Sequence, residues 1–501
     1  MAPSLDSKTV SLDEDLLSLQ EARRLVREAA EAQAILATFD QARIDRIVEA
    51  MARAGEEKAF HLAKMAVEET GIGVVEDKVQ KNKFATANLY HYIKDLRTAG
   101  IIAEDPGRKL VEIAEPMGVV VGIVPTTNPT STVMFKALIA VKARNAIVFS
   151  PHPRAVGCSR EAARIMEEAA VAAGAPRGII GCLSLCTREA TNELMHHPKV
   201  ALILATGGSA MVKAAYSTGK PAYGVGPGNV PAFIERTADI PRAVRDIFTS
   251  KTFDNGTICA SEQAIVTEEP VAEQVIRECE RQGGFFVGPS ELPSLERTVM
   301  MPEGGVNPQV VGRSAKEIAG RAGIKVPEGT RVLIARLAGV GKSHPLSAEK
   351  LCPVLAFYVE PDWQKACERC IELLSFGGLG HTLAIHSRNQ EVIMEFALKK
   401  PVFRILVNTP SSQGAIGLTT GLPPSLTLGC GTWGGNSTSD NVGPLHLINR
   451  KRLAYHLGPG GDSSGPGGAG SRISAPRNLR FTREEVAQAV EEFLRIGSGL
   501  K

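Results

Sequence analysis

Residues 119–132 read VVVGIVPTTNPTST, and this stretch decides the fold. Val119–Val124 is a short β-branched run without a polar residue, the pattern of a strand buried on both faces. It breaks into a polar Pro/Thr/Asn turn, and an apolar segment follows. The same order recurs twice, with Ala146–Phe149 before SPHPR and Val200–Ala205 before TGGSA, each leading into an Ala-rich amphipathic segment. Strand, turn and helix repeating in this order predict an α/β protein with a parallel sheet, with ligand sites at the carboxyl ends of the strands.

Upstream, the first hundred residues read as helices: in QARIDRIVEAMARA, Ile44, Ile47, Val48 and Met51 recur at helical spacing. Downstream, helix signals alternate with strand-like runs such as QAIVTEE and RVLIARL to about Asn449, and no repeat of 20–50 residues is visible. From Gly458 to Pro476, Gly, Ser and Pro supply 14 of 19 residues, the composition of a flexible linker. Thr482 and Glu485 beyond it form a capping box, and Val486, Ala489, Val490, Phe493 and Leu494 share one helical face opposite a row of Glu and Gln. A tethered amphipathic helix is expected at 477–501.

The 501 residues are 44% hydrophobic and 22% charged, which excludes wholesale disorder and a fibrous protein. Lys and Arg number 57 against 54 Asp and Glu, a net charge of +3 that gives no bulk case for nucleic acid or an anionic membrane. No run of apolar residues is long enough to span a bilayer, and the N-terminus lacks the form of a secretory signal. Nine irregularly spaced cysteines are no disulfide framework, and a reducing cytoplasm is the expected compartment.

Most glycine, cysteine and histidine clusters carry little chemistry. GVGKS at 339–343 is half a P-loop with Arg336 where the motif needs Gly. Cys367 and Cys370 lie in a helix-like run without a second ligand pair, and His196 and His197 lack a metal-site companion. Gly207 and Gly208 are better placed, between an apolar run and a helix whose first N–H groups can face a pyrophosphate. Cys259, in KTFDNGTICASEQ, follows an Asp-Asn-Gly turn, and an exposed turn whose N–H groups can stabilise a thiolate is expected there.

As an ordered set, LAKMAVEETGIGVVEDKVQKN, AEPMGVVVGIVPTTNPTST, RNAIVFSPHPRA, LILATGG, KPAYGVGPGN, SKTFDNGTICASEQ, EKLCPVLA, GGLGHT, NTPSSQG and LGCGTWGGNSTSDNVGPLHLIN resemble the aldehyde dehydrogenase superfamily, in its CoA-acylating branch. The blocks run from about Leu62 to Asn449 and cover most of the chain. The resemblance implies two Rossmann-like parallel-sheet domains plus a small oligomerisation element. Residues 1–250 would hold the N-terminal helices and the cofactor-binding domain, with a hairpin near 109–116. The catalytic domain would span 251–424, and 425–457 would be a returning, oligomerising segment.

The resemblance makes Cys259 the catalytic nucleophile and Asn128 an oxyanion-hole amide, with the Cys259 backbone N–H as second donor. Glu349 would meet the nicotinamide ribose, and Gly207 and Gly208 the pyrophosphate. Ser150 and Pro151 stand where many relatives hold the adenosine ribose with a Lys-Pro pair, which leaves NAD and NADP both open. Val225 aligns with the glutamate that activates water in hydrolytic members. Thioester hydrolysis needs a general base, whereas the CoA thiol is itself a good nucleophile. The implied reaction is the reversible oxidation of a short-chain aldehyde to acyl-CoA, with acetaldehyde, propionaldehyde and sulfoacetaldehyde as candidates and hydrolysis to free acid as the competing chemistry. A homodimer or homotetramer is implied. The C-terminal helix resembles peptides that bind the shell proteins of bacterial microcompartments, and docking on its own enzyme is the other use of its apolar stripe.

Overall fold

The computed structural model describes residues 13–457; the linker and amphipathic helix expected at 458–501 lie outside the described residues. The N-terminal region is helical, as its periodicity requires. Helix α1 (Glu14–Leu36) buries Ala22, Val26, Ala29 and Leu36 along one face. Helix α2 (Gln41–Glu57) is capped by Asp40, whose carboxylate accepts from the Arg43 N–H, and buries Ile44, Ile47, Val48 and Met51. Helix α3 (Ala59–Thr70) stops at Gly71, which adopts a left-handed φ of 66°. Helix α4 (Val75–Lys83) breaks the pattern, because the residues it buries are Lys78, Lys81 and Asn82.

Strands β1 (Gly100–Asp105) and β2 (Leu110–Pro116) follow. The hairpin therefore begins earlier than residue 109: Lys109–Pro116 supplies only its second strand, and Asp105-Pro106-Gly107 is its turn signal. A central five-stranded sheet contains β3 (Val119–Val124), β4 (Ala146–Pro151), β5 (Ile180–Cys182), β6 (Val200–Thr206) and β7 (Ala222–Val225), in the order β5-β4-β3-β6-β7 with all pairs parallel. Its three inner strands are the three runs read in the sequence.

A second parallel sheet has seven strands: β8 (Val230–Ile234), β9 (Glu262–Glu268), β10 (Gly284–Phe286), β11 (Val332–Arg336), β12 (Val354–Glu360), β13 (Leu383–His386) and β14 (Ile405–Val407). Their order is β10-β11-β12-β9-β8-β13-β14. Strand β8 lies before residue 250, yet it pairs with β9 and β13, so the second sheet starts ahead of the boundary expected there. Strand β15 (Ile448–Ala454) returns to lie beside β2. Asp105–Leu110 and the described residues 454–457 form a small second unit, in which the Tyr455 N–H donates to the Lys109 carbonyl at 3.0 Å.

Both large sheets are covered on both faces, as their near-continuous apolar strands require. Ile247 and Phe248 of one helix pack with Ile265 and Leu355 on one face of the seven-stranded sheet. Leu373 and Phe396 pack with Val266 and Ile385 on the other. Among the described residues no helix is long and apolar enough to cross a membrane. All nine cysteines are free.

One buried amide ties the returning segment to the five-stranded sheet. Asn145 accepts from the Met117 and Gly118 N–H groups at 2.8 Å each and donates to the Leu447 carbonyl at 2.8 Å. Asn145→Ala would strand these backbone groups in the interior, each at about 1–3 kcal/mol. The substitution is expected to lower the apparent Tm by at least about 3 °C; an unchanged melting curve would show that water replaces the amide at no cost.

Candidate active site

The helix Ile240–Thr252 runs into a tight turn in which Asp254, Asn255 and Gly256 have φ of 49°, 53° and 77°. Left-handed backbone is costly for Asp and Asn, so three such residues in a row must be held by their surroundings. The chain turns once more, with the Ser261 N–H donating to the Ile258 carbonyl at 2.9 Å, and then enters β9. Cys259 sits on this second turn.

It is half-buried, where an exposed position was expected. The Gly228 backbone presses on it so closely that a Cβ at 228 would stand 2.0 Å from the Cys259 carbonyl oxygen. An apolar wall containing Phe84, Val225, Ile258, Leu406, Ile416 and Leu428 packs against it. Burial pushes the Cys259 thiol up to about 12, and the nearby Glu349 carboxylate pushes the same way.

His381, fully buried, lies with Nε2 3.3 Å from the Cys259 Sγ and Nδ1 2.9 Å from the Thr382 hydroxyl. Burial, with the Arg404 guanidinium as a second cause, lowers the imidazole to about 3. Thiol and neutral imidazole are thus the resting forms. Arg404 holds the frame: it donates to the carbonyls of His381 (3.1 Å) and Gly429 (2.9 Å) and to Asn441 Oδ1 (2.7 Å).

Asn128 stands at the start of the helix Pro129–Lys142, and its side chain does not cap that helix. Its Nδ2 donates instead to the Thr257 carbonyl at 3.2 Å, two residues before the thiol. Its Oδ1 accepts from Lys81 Nζ at 2.6 Å. Lys81 also meets Asp254 Oδ2 at 2.5 Å and the Thr257 hydroxyl at 3.0 Å, while Lys78 meets Asp254 Oδ2 at 2.9 Å and the Thr127 carbonyl at 2.8 Å. The polar face of α4 is explained by this contact with the turn that leads to Cys259.

A second group of residues lies along the carboxyl edge of the five-stranded sheet. The Thr206 hydroxyl, at the tip of β6, is buried without a hydrogen-bond partner. Gly208 opens the helix Ser209–Tyr216 with no side chain capping the first turn, and no heavy atom lies within 4 Å of where its Cβ would stand. An orphaned hydroxyl beside open, uncapped N–H groups fits a diphosphate. Glu349 Oε1 accepts from the Gly228 N–H at 3.1 Å, and burial raises its carboxyl to about 7. Ser150 and Pro151 are buried at the end of β4, where the Ser150 hydroxyl shares a 2.8 Å hydrogen bond with Thr191. That side chain is therefore engaged inside the protein rather than offered to a ribose.

Residues 7–284 match the aldehyde dehydrogenase family. The chain belongs to that family. It is 49% identical over 442 residues to the bifunctional aldehyde-alcohol dehydrogenase of Escherichia coli K12, a match covering 87% of this chain and 50% of that protein, so the chain spans about half the length of this relative. Among solved structures, an acetylating aldehyde dehydrogenase from Geobacillus thermoglucosidasius superposes with a TM-score of 0.88 at 53% identity, covering 89% of this chain and 99% of that one. A propionaldehyde dehydrogenase from the fucose utilisation microcompartment of Clostridium phytofermentans gives a TM-score of 0.79 at 29% identity, covering 87% and 97%.

The sequence reading of this family member had no role for His381, Lys81, Asp254 or Gly228, although all four lie in motifs it quotes. His381 is 122 residues from Cys259, and no spacing rule joins them. Alkylation of Cys259 without added nicotinamide cofactor is expected to speed up about tenfold per pH unit from pH 7 to 9, because the thiolate is a small and growing fraction below a raised thiol pKa. A rate already flat across that range, in iodoacetamide labelling read by mass spectrometry, would contradict the raised thiol.

Proposed function

We propose that the chain is a CoA-acylating aldehyde dehydrogenase, carrying out aldehyde + CoA + NAD(P)⁺ ⇌ acyl-CoA + NAD(P)H + H⁺. The observation that carries this reading is Val225. The sequence resemblance aligns it with the family's water-activating glutamate, and it is buried in the apolar wall against which Cys259 packs. A thioester formed on Cys259 therefore meets no carboxylate there to deprotonate water, while the thiol of CoA needs far less help.

Cys259 gives up its thiol proton to solvent, the H⁺ of the overall reaction, and as thiolate attacks the aldehyde carbonyl. Asn128 Nδ2, which in the resting structure donates to the Thr257 carbonyl and the Thr127 hydroxyl, and the Cys259 backbone N–H are the donors assigned to the oxyanion that forms. The bound dinucleotide supplies the hydride acceptor, with Thr206, Gly207 and Gly208 available for its diphosphate and Glu349 for its nicotinamide ribose. Oxidation leaves an acyl thioester on Cys259. His381, no longer beside a free thiol, accepts the CoA proton as that sulfur attacks. The tetrahedral intermediate collapses, and the Cys259 thiolate leaves and takes the proton back from His381, restoring the neutral pair.

The wall also bears on substrate choice. The cations beside it are committed, Lys81 to Asp254 and Arg404 to backbone carbonyls and Asn441. A carboxylate or sulfonate on the aldehyde would be desolvated without a counter-charge, so an uncharged short-chain aldehyde is the favoured substrate. With CoA present, acetaldehyde or propionaldehyde is expected to give acyl-CoA, and an aldehyde bearing a carboxylate to react at least about tenfold less efficiently. With CoA omitted, free acid is expected as a minor product only. Cys259→Ala should abolish turnover in a folded protein. Rapid thiol-independent acid formation would revive the hydrolytic chemistry.

We also propose that the enzyme works inside a bacterial microcompartment. The sequence of 477–501 and the likeness to a propionaldehyde dehydrogenase from such a compartment support this reading. A fluorescent protein fused to residues 476–501 should co-localise with co-expressed shell proteins from the same genome. Diffuse fluorescence, with the full-length enzyme also absent from purified shells, would exclude it.

A further inference from the structure

Lys81 is almost fully buried, and all three of its ammonium protons have acceptors: Asp254 Oδ2 at 2.5 Å, Asn128 Oδ1 at 2.6 Å and the Thr257 hydroxyl at 3.0 Å. We propose that Lys81 is a positioning residue for the reaction: anchored on the buried Asp254 carboxylate, its ammonium locks the Asn128 amide with Oδ1 facing the lysine and Nδ2 facing the turn that carries Cys259. This proposal rests on the reading of Asn128 as an oxyanion donor.

The argument is one of donors and acceptors. An ammonium has no lone pair to offer, so only the oxygen end of the Asn128 amide can face it. Rotating that amide by 180° would set its NH2 against the NH3⁺ in a buried site and deprive both of partners. With Lys81 in place, Nδ2 must point the other way, where it meets the Thr257 carbonyl. A positive charge on the oxygen side also polarises the amide and makes its N–H a stronger donor to a developing anion.

Asp254 is what keeps the lysine charged. Burial pulls the Lys81 ammonium down, to about 8, and Asp254 is the largest opposing influence. The carboxylate itself is fully buried; burial would raise it, but Lys81 and Lys78 together hold it below its ordinary value. The Val74 N–H and the Thr257 hydroxyl add hydrogen bonds at 2.8 and 2.7 Å. Lys78 provides an internal comparison. It binds the same carboxylate and the Thr127 carbonyl, but the hydrogen bond to the Asn128 amide belongs to Lys81. If Lys81 served only to fasten α4 to the catalytic turn, the two lysines would be equivalent.

A double-mutant cycle on the full-length enzyme separates these roles. Lys81→Met is expected to lower kcat about 10- to 100-fold with little change in the KM for aldehyde, and Asn128→Ala to lower it about 10²–10³-fold. In the Asn128→Ala background, adding Lys81→Met should cost less than about threefold more, because there is no amide left to orient. Lys78→Met should cost the same factor in both backgrounds. Lys81→Gln, which keeps a neutral donor, replaces Lys81→Met in the cycle should the latter not fold, judged by thermal melting. An unchanged kcat in Asn128→Ala would overturn the oxyanion reading itself. A normal Asn128→Ala loss, with the Lys81 loss multiplying in full on top of it, would overturn the positioning role and leave the oxyanion reading standing.

Discussion

A carboxylate with no access to water is the constraint on which this site depends. Asp254 can stay ionised in the interior only because two ammonium groups and two further donors surround it. Removing one partner of such a group typically costs about 3–5 kcal/mol, since the remaining charge is left buried. The partners come from distant segments. Lys78 and Lys81 belong to α4, whereas Asp254 belongs to the left-handed turn before Cys259. The strained φ values of Asp254 and Asn255 thus persist because the ion cluster holds them. Gly73 completes the enclosure, since a Cβ there would lie 1.9 Å from Asp254 Oδ1. One buried ion cluster therefore joins the turn before Cys259, helix α4 and the Asn128 amide.

The other side of the thiol is apolar, and the two environments act in opposite directions. The ion cluster lies against Asn128 and the turn before the thiol, while burial by the apolar wall and the Glu349 carboxylate penalise negative charge on the sulfur itself. The thiol is pushed up and the imidazole beside it is pulled down, so proton transfer between them is disfavoured in this resting form. The pair therefore rests neutral, and His381 contributes orientation before it contributes basicity. A cysteine held in this way resists oxidation and stray electrophiles, and it becomes reactive when the balance of charge around it changes.

The sheets were legible in the sequence because both bury their strands on two faces, which leaves uninterrupted runs such as Val119–Val124 and Val200–Ala205. The short β8 was harder to assign. Val230–Ile234 follows β7 after only four residues, yet it pairs in the other sheet, and nothing in its composition records that choice. The catalytic turn was visible as FDNGTIC, but the exposure expected for Cys259 depended on what would cover it. That cover comes from Gly228 and from residues near 406–428, brought in by tertiary packing. Likewise, nothing in the local sequence marks Lys78 and Lys81 as buried; the distant Asp254 carboxylate makes their burial possible. His381 sits in a quoted glycine-rich motif, and its chemistry came into view when β13 placed it against a cysteine 122 residues away.

The placement of Val225 joins these features into a single chemical preference. An acyl thioester on Cys259 can be opened by water only with a base to carry off a proton, and the nearest candidate from the neighbouring strand is a buried valine. His381 is close, but as a base near pH 3 it is badly matched to water, whose proton leaves only at far higher pH. It is less badly matched to a thiol, whose unperturbed pKa lies about seven units lower than that of water. The two nucleophiles are thus separated by the proton each must lose, whichever base receives it. An acyl-enzyme in this pocket would persist against solvent and yield to a thiol, because the thiol gives up its proton far more readily than water and no carboxylate stands at Val225 to assist water.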